Sequence, residues 1–239
     1  MKGVRHLFFD LDHTLWDFEA NALDSLRYLL KHQIMPKYGH VDPEKFVSSY
    51  KHHNKRLWKL YERGDISQAG LRLSRFSLAL EEVSVSDEPL ARNLGEAFLE
   101  QLPLRTKLMK GAWDALESLK PFYTLHLITN GFHEVQLKKV NQSGIGHFFQ
   151  EVVSSDAAGA MKPAEAIFQF AQTRTGSSAE QACIIGDNLE ADILGGQKAG
   201  WKTVWFNPDG AEGSSAPDVT ITCLSELSTL FGQGTKKAP

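Results

Sequence analysis

The sequence predicts an α/β protein: a parallel sheet flanked by helices, interrupted after its first strand by an all-α insert. Three observations predict it. Short apolar runs rich in β-branched and aromatic residues recur at 4–9, 123–129, 151–155, 182–186, 202–206 and 218–223. Segments with helical spacing separate the later runs, the pattern of βαβ units and a parallel sheet. Residues 19–102 show repeated helical patterning and no convincing strand.

The first run, VRHLFF, reads as a buried strand that ends at Asp10. In the insert, Leu23, Leu26, Leu29 and Leu30 repeat on one helical face. Asp42-Pro43 places an N-cap before a proline at the first helical position, and Leu57, Leu60 and Tyr61 continue that helix. RGDIS (63–67) has turn chemistry, with Ser67 as the cap of a third helix holding Leu71, Phe76, Leu78 and Leu80. Ser86 is expected to cap a fourth, which holds Leu90, Leu94 and Phe98. Beyond the insert, Leu116 and Leu119 share a face of 111–120. Val135, Leu137 and Val140 line 133–142, and Ile167, Phe168 and Ala171 line 164–174. The expected domains are a core of 1–18 with 103–239 and a helical cap of 19–102. The tail from 232 to 239 is polar and small, and is expected to be mobile.

Composition narrows the function classes. Hydrophobic residues make up 42% and charged residues 23%, enough to bury a core. A formal net charge of −3 gives no electrostatic reason to expect a nucleic acid polymer or an anionic membrane as partner. No apolar run reaches the length of a signal-peptide core or a membrane span. Cys183 and Cys223 sit in strand-like runs and are expected to be buried thiols. A cytoplasmic setting fits these features.

Ligands of an open parallel sheet bind beyond the C-terminal ends of its strands. Polar residues collect at those ends. Asp10 and Asp12 follow the first run; Thr129, Asn130 and Gly131 follow the second; Lys162-Pro163 comes after the third; Asp187, Asn188 and Asp192 follow the fourth. Taken singly, a D-x-D pair is often a turn or helix cap, T-N-G is a common turn, and G-D-N can merely cap a helix. His52-His53 suggests a metal pair, but adjacent helical residues point about 100° apart, so a solvated face is the expectation. The set carries weight because each member closes a different strand in order.

D-L-D-H-T-L, I-T-N-G, M-K-P and G-D-N-L-E-A-D together resemble the four motifs of the haloacid dehalogenase (HAD) superfamily. The resemblance spans nearly the whole chain, and the insert resembles that family's type-1 helical cap. WDFEAN, ITNGF and GDNLEADILGG are closer still to its pyrimidine 5′-nucleotidase subfamily. The resemblance implies a Rossmann-like, HAD-like core. It also implies a phosphatase in which Asp10 attacks phosphorus and carries the phosphoryl group. It further implies Mg²⁺ held by the Asp10 and Asp187 carboxylates and the Asp12 backbone carbonyl, with Asn188 and Asp192 in support. Asp12 is implied as general acid–base. Thr129 with the following backbone N–H, at Asn130, would hold phosphate oxygens, and Lys162 would neutralise charge. One departure is His13, where many members of the superfamily carry Gly. Thr14 reads as a hydroxyl that holds the loop.

A carboxylate facing a phosphate dianion is repelled, so a hard cation between them suits the chemistry. Asp12 argues against a dehalogenase, which needs no leaving-group protonation. A phospho-accepting signalling module would be shorter and place its aspartate after a later strand. A sugar-phosphate phosphatase or phosphomutase, of the phosphoglycolate phosphatase or β-phosphoglucomutase type, needs both aspartates and stays open. The expected ligand is a small phosphomonoester, above all a nucleoside monophosphate. The cap, on two connections, is expected to cover the site, with RGDIS reaching toward it. Trp16 and Phe18, at the passage into the cap, could stack on a base or could pack that passage. Oligomeric state is not legible in the sequence.

Overall fold

A computed structural model describes residues 1–213 and 215–232. The chain divides into two compact units, residues 1–18 with 106 onward, and residues 19–105. The insert runs past 102 because a 3₁₀ turn, Leu102–Leu104, directly continues its last helix.

Among the described residues, the first unit is built on six strands, all parallel. They are β1 (His6–Phe9), β2 (Thr124–Thr129), β3 (Phe149–Ser154), β4 (Ala182–Gly186), β5 (Lys202–Phe206) and β6 (Val219–Ile221). Their order is β3-β2-β1-β4-β5-β6, so the chain reverses direction across the sheet at β1. β1 is HLFF and β4 is ACIIG, near-continuous apolar runs, as strands covered on both faces require. Phe8 packs on the Trp201 ring at 4.3 Å, beside Ile167, Phe168 and Ile184. His126, fully buried on β2, stacks on Phe8 and shares a 3.1 Å hydrogen bond with His6. β6 is shorter than the run 218–223. Cys223 therefore lies beyond the strand and is half-buried, whereas Cys183 is buried; both thiols are free.

The second unit is helical. It contains α1 (Phe18–Leu29, starting at the last residue of the first unit), α2 (Pro43–Glu62), α3 (Gln68–Glu82) and α4 (Glu88–Gln101). Asp42 caps α2 by accepting from the Glu44 and Lys45 backbone N–H groups, and Ser67 caps α3. The cap of α4 is Asp87 rather than Ser86. Its carboxylate accepts from the Leu90 N–H and also from Lys37 at 2.6 Å and the Tyr38 hydroxyl at 2.9 Å. A carboxylate serves all three donors, which a serine hydroxyl cannot. Hydrogen bonds led by Lys37 hold Asp87 down at about 2. His53 also departs from the solvated face expected of it: it is buried and pairs with Glu82 at 2.6 Å. The polar tail beyond Gly232 lies outside the described residues. Among the described residues, no helix is long and apolar enough to cross a membrane.

The rings of Tyr50, Phe76 and Phe98 pack 4.9 to 5.7 Å apart at the centre of this unit. Arg75 lies among them, only 2% exposed. Its guanidinium carbon is 5.0 Å from the Phe98 ring, and Nη1 donates to Asn54 Oδ1 at 3.3 Å. Nε and Nη2 find no partner among the described residues. Burial pulls its pKa down, and the titratable groups acting on it are Tyr50 and Arg72, neither a carboxylate. Cation–π contact offsets about 2 kcal/mol, against several for a buried unpaired charge. Arg75→Met should therefore raise the unfolding free energy by about 1 kcal/mol or more, and Tm by about 2–4 °C. Thermal denaturation checks this; a fall in Tm would show that the cation is needed for packing.

Candidate active site

β1, β2 and β4 are neighbours, and the direction of winding changes at β1. A crevice opens beyond the C-terminal ends of strands at such a point. Asp10 immediately follows β1, Thr129 ends β2, and Asp187 follows β4, so three adjacent strands deliver polar groups to one edge. The Asp10 backbone N–H donates to the Ile185 carbonyl at 2.9 Å, which carries the sheet ladder up to Asp10.

Lys162 occupies the middle of the cluster. Its Nζ donates to Asp10 Oδ1 at 2.7 Å, Asp192 Oδ1 at 2.6 Å and the Ile128 carbonyl at 2.8 Å. All three donors of the ammonium are used. Burial disfavours its charge, but Asp10 and Asp192 outweigh burial and push its pKa up. Asn130 fixes the backbone here: its side chain donates to the Lys162 carbonyl and accepts from the Lys162 N–H, at 2.9 and 2.8 Å. The Asn130 side chain is thus engaged with the backbone of residue 162.

Asp192 is 1% exposed and accepts from the Asn188 N–H at 3.0 Å as well as from Lys162. Gly186 makes room for it, since a Cβ there would lie 2.2 Å from Asp192 Oδ2. Asn188 accepts from the Glu190 and Ala191 N–H groups and so caps the helical turn Leu189–Leu194. Thr14 donates to Asp187 Oδ1 at 3.0 Å and accepts from the Asp187 N–H at 3.1 Å. The hydroxyl expected to hold its own loop also ties that loop to the end of β4. His13 has a φ of 67°, the left-handed region that favours glycine, so the bulky residue sits where the turn needs a conformation only Gly reaches without cost.

Carboxylate oxygens of Asp10, Asp187 and Asp192 come within 4.8 Å of one another. Burial, with the Asp192 and Asp187 charges added and Lys162 opposing, raises Asp10 to about 8. Burial and Asp192 raise Asp187 to about 7, against the Thr14 hydrogen bond and Lys162. A single ammonium is thus too little positive charge to keep these buried carboxylates ionised, and their hard oxygens lie together. That is the donor set a Mg²⁺ ion takes, and the residues fit it. Asp192 is already committed to Lys162 and Asn188, so Asp10 and Asp187 are the carboxylates available to a cation.

Asp12 is held by two residues that apolar patterning of the sequence does not reveal. Both lie on the helix His133–Gln142. Lys139 Nζ donates to Asp12 Oδ1 and Oδ2 at 2.7 and 2.9 Å, and Gln136 Nε2 donates to Oδ2 at 2.9 Å. The buried side of this helix comprises Gln136, Lys139 and, as expected, Val140; Val135 and Leu137 are only half-buried. The i, i+3 spacing of two long polar side chains, on a helix starting just past Thr129, was the available signal.

Trp16 needs correction as a substrate-selecting residue. It is fully buried, its Nε1 donates to Ser143 Oγ at 3.0 Å, and Lys139 Nζ lies 4.5 Å from its ring. A fully buried indole offers no face to a base; it supports Lys139. Phe18 is half-buried, with Lys139 Nζ 5.6 Å from its ring.

The chain is similar to known proteins over most of its length. The family model of haloacid dehalogenase-like hydrolases matches residues 7–206. The pyrimidine 5′-nucleotidase PynA of Streptococcus pneumoniae is 35% identical over 224 residues, covering 92% of this chain and 91% of PynA. The glyceraldehyde 3-phosphate phosphatase of Pyrococcus abyssi is 32% identical over 205 residues, 85% of this chain and 81% of that enzyme. Among solved structures, the HAD-hydrolase YfnB from Bacillus subtilis bound to magnesium superposes with a TM-score of 0.87 at 32% identity, covering 97% of this chain and 100% of YfnB. With the motifs at the ends of adjacent parallel strands and a match over most of its length, this chain belongs to the haloacid dehalogenase-like hydrolases.

Proposed function

We propose that this hydrolase is a Mg²⁺-dependent phosphatase acting through an aspartyl-phosphate on Asp10, with pyrimidine nucleoside 5′-monophosphates as its substrates. The observation that carries the reading is the Lys162 ammonium bridging Asp10 and Asp192, with Asp12 and Thr129 at the same sheet edge. Lys162 holds Asp10 Oδ1, which leaves Oδ2 to attack. The Asp10 Oδ–P bond forms as the bond from phosphorus to the leaving oxygen breaks, and Asp12 gives that oxygen a proton. Water then attacks the same phosphorus, Asp12 takes a proton from it, and the Oδ–P bond breaks to release inorganic phosphate. The Asp10 and Asp187 carboxylates and the Asp12 carbonyl would hold Mg²⁺, which supplies positive charge between Asp10 and the phosphate dianion. Thr129 and the Asn130 N–H donate to phosphoryl oxygens, and Lys162 offsets their charge. Positioning and charge carry most of the catalysis.

The nucleotide reading rests on ITNGF and GDNLEADILGG, and on the extent of the match to PynA. Phe18 is the aromatic we assign to the base, a contact worth about 1 kcal/mol. A substrate panel tests it. Pyrimidine nucleoside monophosphates should exceed hexose phosphates in kcat/KM by about tenfold or more, a difference of about 1.4 kcal/mol in transition-state binding. Hexose phosphates ahead by the same factor would replace the nucleotidase reading with a sugar-phosphate phosphatase.

A further inference from the structure

The side chains of Asp12, Gln136 and Thr129 form a chain of hydrogen bonds whose direction can be worked out. Lys139 donates to both oxygens of Asp12. The Gln136 group 2.9 Å from Asp12 Oδ2 is the amide nitrogen, which donates to that same carboxylate. That same nitrogen lies 2.7 Å from Thr129 Oγ1, and nitrogen donates; Thr129 must therefore accept. The Gly131 backbone N–H donates to Thr129 Oγ1 as well, at 3.1 Å. A hydroxyl has two lone pairs and one proton. Both lone pairs of Thr129 are engaged, and its O–H must donate elsewhere. The geometry is tight: Gln136 is 1% exposed, and a Cβ at Gly131 would lie 2.4 Å from Gln136 Nε2, so Gly131 leaves the space that the amide fills.

We propose that Gln136 is a positioning residue that commits the Thr129 hydroxyl proton to the phosphoryl group. This rests on the reading of Thr129 as a phosphate-binding residue. For Asp12, Gln136 is redundant beside Lys139; for Thr129 it has no substitute. Without its amide, Asp12 Oδ2 loses a donor and the Thr129 O–H can turn toward that carboxylate, away from phosphate.

The test uses the full chain with Mg²⁺, p-nitrophenyl phosphate as substrate and inorganic phosphate as inhibitor. Gln136→Met, Thr129→Val and the double variant form a cycle. Gln136→Met is expected to lower kcat/KM and raise the inhibition constant for phosphate by the same factor, about tenfold. The double variant should be no worse than Thr129→Val alone, because both changes remove one donated proton. Losses that multiply in the double variant, or a Gln136→Met enzyme within twofold of the parent while Thr129→Val is impaired, would overturn the role of Gln136 alone. An unimpaired Thr129→Val would overturn the phosphate-binding reading and this inference with it. Gln136→Glu keeps the length but presents oxygens that let Thr129 donate to them. It should show the same loss, and it replaces Gln136→Met in the cycle if the latter does not fold.

Discussion

Asp10→Asn is expected to abolish Mg²⁺-dependent hydrolysis of p-nitrophenyl phosphate, by about 10⁴-fold or more, while the fold survives. An amide is a poor nucleophile toward phosphorus and a poor ligand for a hard cation, so both proposed roles fail together. The structure gives a reason to expect no loss of stability. The Asn oxygen can still accept from Lys162, which donates to Asp10 Oδ1 at 2.7 Å. Asparagine also carries no charge, so burial and the Asp192 and Asp187 charges, which raise Asp10 to about 8, do not act against it. Tm should be unchanged or higher. Thermal denaturation beside a phosphatase assay separates the two effects. An active Asp10→Asn enzyme would end the proposed mechanism, and an unfolded one would show that the Asp10 charge is part of the fold.

Lys162→Met is expected to act in the opposite way on stability. It leaves the Asp10 and Asp192 carboxylates buried without the ammonium that serves both. Breaking a buried ion pair from one side costs about 3–5 kcal/mol, which for a chain of this size lowers Tm by roughly 10 °C. Activity should fall about 10³-fold, since the charge proposed to offset the phosphoryl group is lost and Asp10 is no longer aimed. Denaturation and kcat/KM measured on the same preparation check both numbers. An unchanged Tm would mean that the carboxylates find other partners when Lys162 is absent. Comparison of the two variants is itself informative: one removes charge from a crowded anionic cluster, the other removes its counter-charge.

Much of the core was legible because parallel strands buried on both faces leave a simple trace. The runs 182–186 and 202–206 match β4 and β5 to the residue, and Ile167, Phe168 and Ala171 are the buried face of the helix Glu165–Thr175. Strand ends also placed the polar residues, because a sheet brings the residues after adjacent strands to one edge whatever lies between them in sequence. What stayed hidden is polar and buried. Gln136 and Lys139 occupy the inward side of a helix, where a search for apolar periodicity passes over them and settles on Val135 and Leu137. Arg75 and His53 were hidden in the insert for the same reason. Ser86 lost the cap position to its neighbour Asp87 because Lys37 and Tyr38 approach from a distant part of the chain, and no local pattern records them. The Trp16 ring carried a double meaning in the sequence, base stacking or packing, and its partner Lys139 decided for packing.

The central claim is that phosphorus passes through Asp10 rather than directly to water. Its most direct test is the stereochemical course of hydrolysis, read with a phosphorothioate monoester whose phosphorus carries sulfur, ¹⁶O and ¹⁸O, cleaved in ¹⁷O-enriched water to a chiral thiophosphate. Each in-line displacement inverts phosphorus. Attack by Asp10 followed by attack of water makes two displacements, so the account predicts net retention of configuration. Net inversion would mean a single displacement by water and would contradict it.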